Sequence, residues 1–197
     1  MLFVYSKFKR KKWLKYGPEK RLKVLIALEK KIAKSLKLEP LKIELHEDQN
    51  WNCFGAFTVN GVNRKIVLNQ NLLYEPRLRF HAMETLAHET RHAYQHVLIS
   101  KDLKWHEFTA KKWKRNWGAY FSSSSDDVMY NNQAIERDAQ KYSIKFLKKH
   151  KYPDQDYIDT FAAVCYRYDQ AEVNAKKKYG FFYKFKIEKN IKNKYKD

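Results

Sequence analysis

The chain has 197 residues, 44% of them apolar, and carries 41 Lys and Arg against 22 Asp and Glu, a net charge of +19. That length and apolar content suit one domain with a sizeable core, two lobes flanking a cleft being the other arrangement they allow, and no repeat or low-complexity domain interrupts the chain. No run approaches eighteen apolar residues, so nothing spans a membrane and no membrane partner is expected; Cys53 and Cys165 match no zinc spacing and require no disulfide.

The first residues, Met1-Leu2-Phe3-Val4-Tyr5, are too short for the apolar region of a signal peptide. They are followed, not preceded, by the basic cluster Lys7, Lys9, Arg10, Lys11, Lys12 and Lys15, so the expected compartment is the cytoplasm. After Pro18, Leu22, Leu25, Ile26, Ile32, Ala33 and Leu36 recur at helical spacing and predict a helix that supports a sheet. Leu41, Ile43 and Leu45 alternate with polar neighbours and predict a strand. Phe54 to Val59 and Val62 to Asn69 read as two more, joined through Asn60-Gly61 by a two-residue type I′ turn.

From Arg77 to Ile99 there is no Gly or Pro, Pro76 stands just before, and Phe80, Met83, Leu86, Ala87, Tyr94, Val97 and Leu98 keep helical spacing. This predicts a helix of about six turns. It carries His88-Glu89-Thr90-Arg91-His92, a His-Glu-x-x-His run. Positions four apart lie on one helix face about 6 Å apart along the axis, so His88 and His92 can bind a single ion, with Glu89 beside the water it carries. A zinc site that performs chemistry needs a third protein ligand and an open position. Gln95 and Leu98 occupy the places where metzincins have Gly and a third His, which excludes that family. His96, eight residues from His88, lies about 12 Å along the axis and is out of reach of the same ion.

Two third ligands remain. His106 lies in Trp105-His106-Glu107-Phe108. Glu136 lies in Asn131-Asn132-Gln133-Ala134-Ile135-Glu136-Arg137-Asp138-Ala139-Gln140, which opens a helix through Lys149 with Ile135, Ala139, Tyr142, Phe146 and Leu147 as its apolar stripe. Between the two, Trp117 to Asn132, with the run Ser122 to Ser125 followed by Asp126 and Asp127, reads as a loop, either a rim of the cleft or a linker.

Taken together, the His88 to His92 run and Glu136-Arg137-Asp138-Ala139-Gln140 resemble the zincin metallopeptidases of the gluzincin type, whose second motif is Glu-x-x-Ala-Asp or Glu-x-x-Ala-Asn. Over about residues 60 to 149 the chain is most similar to small cytosolic zincins of the ImmA/IrrE kind. It departs from the pattern at Gln140, in the Asp or Asn place, and at Arg91, where many zincins have an uncharged residue. The resemblance implies an α+β, zincin-like fold: a small, mostly antiparallel sheet on the His-Glu-x-x-His helix, with further helices carrying the third ligand and the C-terminal region. It implies Zn2+ held by His88, His92 and Glu136, with Glu89 as general base in peptide-bond hydrolysis. In zincins the edge strand beside the metal pairs with an extended peptide, which makes Lys65-Ile66-Val67-Leu68 the expected substrate platform. A second resemblance, to SprT-like zincins, would make His106 the third ligand, with Trp113-Lys114-Arg115-Asn116 following it. The donor to the oxyanion stays open among Tyr120, Tyr130 and Tyr142.

Beyond Pro153, Ile158, Phe161, Ala162, Cys165 and Tyr168 form a helical stripe ending near Gly180, on which Cys165 is a reduced core residue. Phe181, Tyr183, Phe185 and Ile187 alternate with Phe182, Lys184, Lys186 and Glu188 and suggest a terminal strand. The expected organisation is one domain over 1-197: a basic segment 1-16, a metallopeptidase core 17-149, and a C-terminal helix with basic tail 150-197. The terminal lysines, interleaved with aromatic residues, would attract nucleic acid or acidic proteins through a salt-sensitive, sequence-independent field. Lys rather than Arg suits phosphate contacts more than base reading. Three functions compete: an endopeptidase acting on a cytoplasmic protein such as a DNA-associated regulator, a nucleic-acid-binding module on an inactive zincin core, and a protein that sequesters an acidic partner.

Overall fold

A computed structural model describes residues 4–48, 51–100, 107–122 and 124–196. Among the described residues the fold is α+β, 69% helical with a small three-stranded mixed sheet. The chain forms two units, Met1–Tyr94 with Tyr142–Ala162, and Gln95–Lys141 with Ala163–Asp197.

The first unit opens with a 3-10 turn at Tyr5–Phe8 and α1 (Arg10–Trp13), then α2 (Pro18–Ser35). Pro18 takes the first helical position, where its missing N–H costs nothing, and Val24, Leu25, Leu28, Ile32 and Ala33 form the buried stripe. Glu29 lies in that stripe, fully buried, and one of its oxygens accepts the Leu41 N–H at 3.0 Å. Burial raises its pKa to about 7, against the opposing pull of the Leu41 N–H and of Lys30.

Three strands follow, β1 (Lys42–His46), β2 (Gly55–Asn60) and β3 (Asn63–Asn69), in the order β1-β3-β2. β1 runs parallel to β3 and β2 antiparallel to it, so the sheet is mixed rather than mostly antiparallel. Asn60 pairs with Asn63, which places the two-residue turn at Gly61-Val62, one position later than the Asn60-Gly61 reading. Gly61 has φ +59 and Val62 does not have a positive φ, the pattern of a type II′ turn and not of I′, which needs both positive. The Asn-Gly pair suggests I′, but the register puts Asn60 in the ladder and leaves the first turn position to Gly61.

Next come α3 (Asn71–Tyr74), a 3-10 turn at Pro76–Leu78, and α4 (Arg79–Ser100). Ser100 alone in α4 is exposed, so this helix is wrapped on all sides and its polar residues find partners inside. Thr90 Oγ1 donates to the Leu86 carbonyl at 2.7 Å, and Glu84 accepts from Ser143 at 2.8 Å. Arg79, 1% exposed, donates to the Phe8 carbonyl at 3.2 Å, to Asp154 at 2.6 Å and to Asp156. A second buried guanidinium, Arg21, donates to the Leu73 carbonyl at 2.6 Å. Each buried cation is thus met by backbone oxygens or carboxylates, the condition under which such burial is tolerated.

The second unit contains α5 (Glu107–Gly118), α6 (Asp127–Asn132), the start of α7 (Ala134–Lys149), the later turns of α8 (Gln155–Tyr179), and α9 (Tyr183–Lys196). Its core is Ala119, Met129, Ala175, Tyr183, Ile187 and Ile191. The expected terminal strand over 181–188 is a helix instead. Phe181 to Ile187 alternate over too short a stretch to decide, whereas Tyr183, Ile187 and Ile191 recur every fourth residue, and these three are the ones buried. The expected loop 117–132 is helical at both of its ends, because α5 reaches Gly118 and Asp126 caps α6 by accepting the Met129 N–H at 3.0 Å. Gln133, with extended backbone, separates α6 from α7, so the helix through Lys149 opens at Ala134 rather than Asn131. Among the described residues no helix is long and apolar enough to cross a membrane.

Candidate metal centre

One turn of α4 places His88 above His92, with their Nε2 atoms 3.0 Å apart. Glu136 stands in the first turn of α7. One ligand atom from each of His88, His92 and Glu136 lies within 4.8 Å of the other two. Ligands about 2.0–2.1 Å from a tetrahedral ion are themselves about 3.4 Å apart, so a group of this kind could hold one ion. Two imidazoles and one carboxylate are a donor set that suits zinc. His92 and Glu136 are 7% and 4% exposed, so little water competes for either ligand.

Glu136 and the helix that carries it are held by several supports. Asn116 Oδ1 accepts the N–H groups of Ala134 and, at 3.3 Å, Ile135, which fixes the start of α7. Gln95, fully buried and three residues beyond His92, donates to the Ile135 carbonyl at 2.9 Å and to Asp138 at 2.8 Å. Gln133 clasps the backbone of Phe121 from both sides, accepting its N–H at 3.3 Å and donating to its carbonyl at 2.9 Å. That clasp anchors Tyr120, whose hydroxyl donates to Glu136 Oε1 at 2.7 Å. Burial and then the Glu136 charge drive the Tyr120 pKa strongly upward, so it stays a donor.

Glu89 is 8% exposed, and its Oε2 accepts the Phe57 N–H at 2.7 Å. In an antiparallel pair closed by a two-residue turn, alternate residues direct their N–H and C=O away from the partner strand. Counting from Asn60 and Asn63, the outward residues of β2 are Val59, Phe57 and Gly55. Glu89 therefore sits at the outer edge of β2. Gly55 permits this approach, since a Cβ there would lie 2.6 Å from Thr85 Cγ2 on α4.

His88, His92 and Glu136 form a group that could hold a metal ion, and Glu89 follows His88 on α4. His106 lies outside the described residues. Lys65, Ile66, Val67 and Leu68 do not form a sheet edge. β3 is the central strand, paired with β1 on one side and β2 on the other, so its backbone groups are already taken. Of the three tyrosines left open, Tyr120 touches a ligand, Tyr130 packs edge-on against its ring at 6.0 Å, and Tyr142 lies 3.5 Å from the Ser35 hydroxyl. Gln140 lines a polar cavity of about 10 Å³ with Glu136, Arg137 and Arg167, while Asp138 is the residue of the second motif that takes the bond from Gln95. Arg91 lies over the rings of Tyr94 and Tyr142, at 4.5 and 5.4 Å, which gives its charge two aromatic faces to rest against. Both cysteines are free thiols, but Cys165 is half-buried and not a core residue: α8 buries Tyr157, Thr160, Val164, Ala171 and Ala175, not the expected stripe, on which Ile158 and Ala162 are exposed.

Sequence reasoning missed Asn116, Gln133 and Gly55, and it saw Gln95 only as an absent glycine. Their spacing carries no signal, because each acts across a long sequence separation; the one available hint was an uncharged amide, Gln95, on the same helix as both histidines. No protein-family model, no curated protein and no solved structure matches the chain.

Proposed function

We propose that the protein is a zinc-dependent endopeptidase of cytoplasmic proteins, with His88, His92 and Glu136 as metal ligands and Glu89 as general base. The observation that carries this reading is the convergence of those three ligand atoms within 4.8 Å, with Glu89 one residue beyond the first of them. A zinc ion held there supplies Lewis acidity, which lowers the pKa of a water to about 7 and polarises a carbonyl.

The chain's own groups do the rest. Glu89 takes the proton of the attacking water and returns it to the leaving amine. The Phe57 N–H on its Oε2 fixes the carboxylate's orientation without entering the reaction. Tyr120 holds Glu136 in a single pose through its 2.7 Å bond, and Gln95 and Asn116 hold the turn that presents it. An extended substrate pairs with the outer edge of β2 through groups other than the Phe57 N–H, which Glu89 takes, in place of Lys65–Leu68, because β2 is the strand whose edge meets Glu89.

The net charge of +19 supports a second reading, a nucleic-acid-binding or protein-sequestering module on an inactive core. Hydrolysis of an unstructured protein such as casein, compared between wild type and Glu89→Gln, separates the two. The endopeptidase reading expects cleavage that needs zinc and falls at least about a hundredfold in the variant. No cleavage by zinc-loaded wild type, or equal cleavage by both, overturns it.

A further inference from the structure

The corner between α8 and α9 turns three phenylalanines toward solvent. Gly180 adopts φ +76, a left-handed conformation that favours glycine, and this lets α8 end at Tyr179 and α9 begin at Tyr183. Tyr183 turns inward to the core, at 5% exposure, whereas Phe181, Phe182 and Phe185 are 87%, 71% and 71% exposed. Lys176, Lys177 and Lys178 close α8, and Lys184, Lys186 and Lys189 open α9, all of them exposed. No Asp or Glu lies between Glu172 and Glu188. Lys176 and Lys178 are engaged by Glu172 and Asp126, both at 2.9 Å, so the charge is thinned at the base of the corner and kept beside the rings by Lys177 and Lys186.

Exposed phenylalanine gains nothing for the chain's own core, and three at one corner mark a surface built for contact. The geometry points to a peripheral membrane surface: the three rings enter the headgroup region of a bilayer, and the lysines around them bind anionic lipid. Phe has no polar handle, so its gain comes only from leaving water, and a collar of Lys is the usual complement where apolar side chains enter an anionic interface. Single-stranded nucleic acid would need ring faces offered as successive stacking platforms. Instead, Phe181 and Phe182 pack edge to face, with centroids 5.5 Å apart and planes at 87°, which turns the edge of one ring into the face of the other. The sequence expectation of no membrane partner concerned spanning segments, which a peripheral contact does not need. This inference is independent of the metal reading.

Co-sedimentation of the full chain with vesicles tests it, using phosphatidylcholine alone and an equimolar mixture of phosphatidylcholine and phosphatidylserine. Wild type is expected to pellet with the mixed vesicles, less at high salt, and weakly with phosphatidylcholine. Phe181→Ser/Phe182→Ser/Phe185→Ser, at exposed positions that leave the fold intact by circular dichroism, is expected to weaken partition at least about tenfold. Lys177→Gln/Lys184→Gln/Lys186→Gln is expected to remove the preference for anionic vesicles while leaving the residual apolar partition. Failure of wild type to pellet with either vesicle overturns the proposal, as does undiminished partition of the phenylalanine variant. So does tight binding of oligothymidylate, or a sedimentation-detected dimer, that depends on the three phenylalanines when vesicle binding does not.

Discussion

Gly55 sets how closely β2 lies on α4, and Gly55→Ala tests that contact directly. The added Cβ would stand 2.6 Å from Thr85 Cγ2 and 3.1 Å from both Leu68 Cδ2 and the Val67 carbonyl oxygen. Carbon atoms pack at about 3.5–4.0 Å, so β2 must retreat by about 1 Å. Thr85 is 4% exposed and β-branched on a helix, and it has little freedom to rotate aside. A retreat of that size stretches the 2.7 Å bond from Phe57 N–H to Glu89 past the range of a hydrogen bond. Overpacking of this kind costs about 1–3 kcal/mol, and a lost bond to a carboxylate about 1.5–3 kcal/mol. The expected loss in urea denaturation is therefore about 2.5–6 kcal/mol. Thr85→Ser deletes the methyl that clashes, so a double-mutant cycle should return about 1–2 kcal/mol of coupling in the rescuing direction. A Gly55→Ala protein within about 0.5 kcal/mol of wild type, or a double variant no better than the sum of the singles, would refute the close approach.

Tyr120→Phe removes the hydroxyl from Glu136 and leaves the ring; zinc affinity by competition with a chromophoric chelator should fall about 10–100-fold, with the melting temperature little changed. An unchanged affinity would mean that the bond does not orient the ligand. Glu29 has a folded pKa near 7 against an unfolded value near 4.5, so its contribution to stability is full below about pH 4.5 and is lost as pH rises to about 7. Glu29→Gln should flatten that part of the profile and exceed wild type at pH 8 by up to about 3 kcal/mol, read from urea midpoints at pH 5 and pH 8; a variant weaker than wild type at pH 8 contradicts the burial argument.

The parts legible in the sequence are those with a period or a local motif. α2, α4 and α8 announce themselves by unbroken helical spacing between Pro or Gly residues, and His88, Glu89 and His92 by a spacing that only a helix makes useful. Glu136 was singled out by its resemblance to a second motif, and it stands in the group that could hold a metal ion. The sheet order was not, since β1-β3-β2 depends on β3 inserting between two strands, and the alternation of Lys65 to Leu68 looks the same in a central strand as at an edge. α9 was misread because Phe181 to Ile187 fit two periods at once, and only the inward turn of Ile191 selects the helical one. The supports of Glu136 were invisible for another reason: Tyr120, Asn116 and Gln133 act through isolated hydrogen bonds between residues 12 to 19 apart in sequence, and no pattern encodes those pairings.

Metal content of the purified chain tests the central claim most directly. Plasma emission analysis should find one zinc per wild-type chain, retained in Glu89→Gln and lost in His92→Ala and Glu136→Ala. A wild type that takes up no zinc, or a Glu136→Ala chain that keeps it while His106→Ala loses it, would contradict the account.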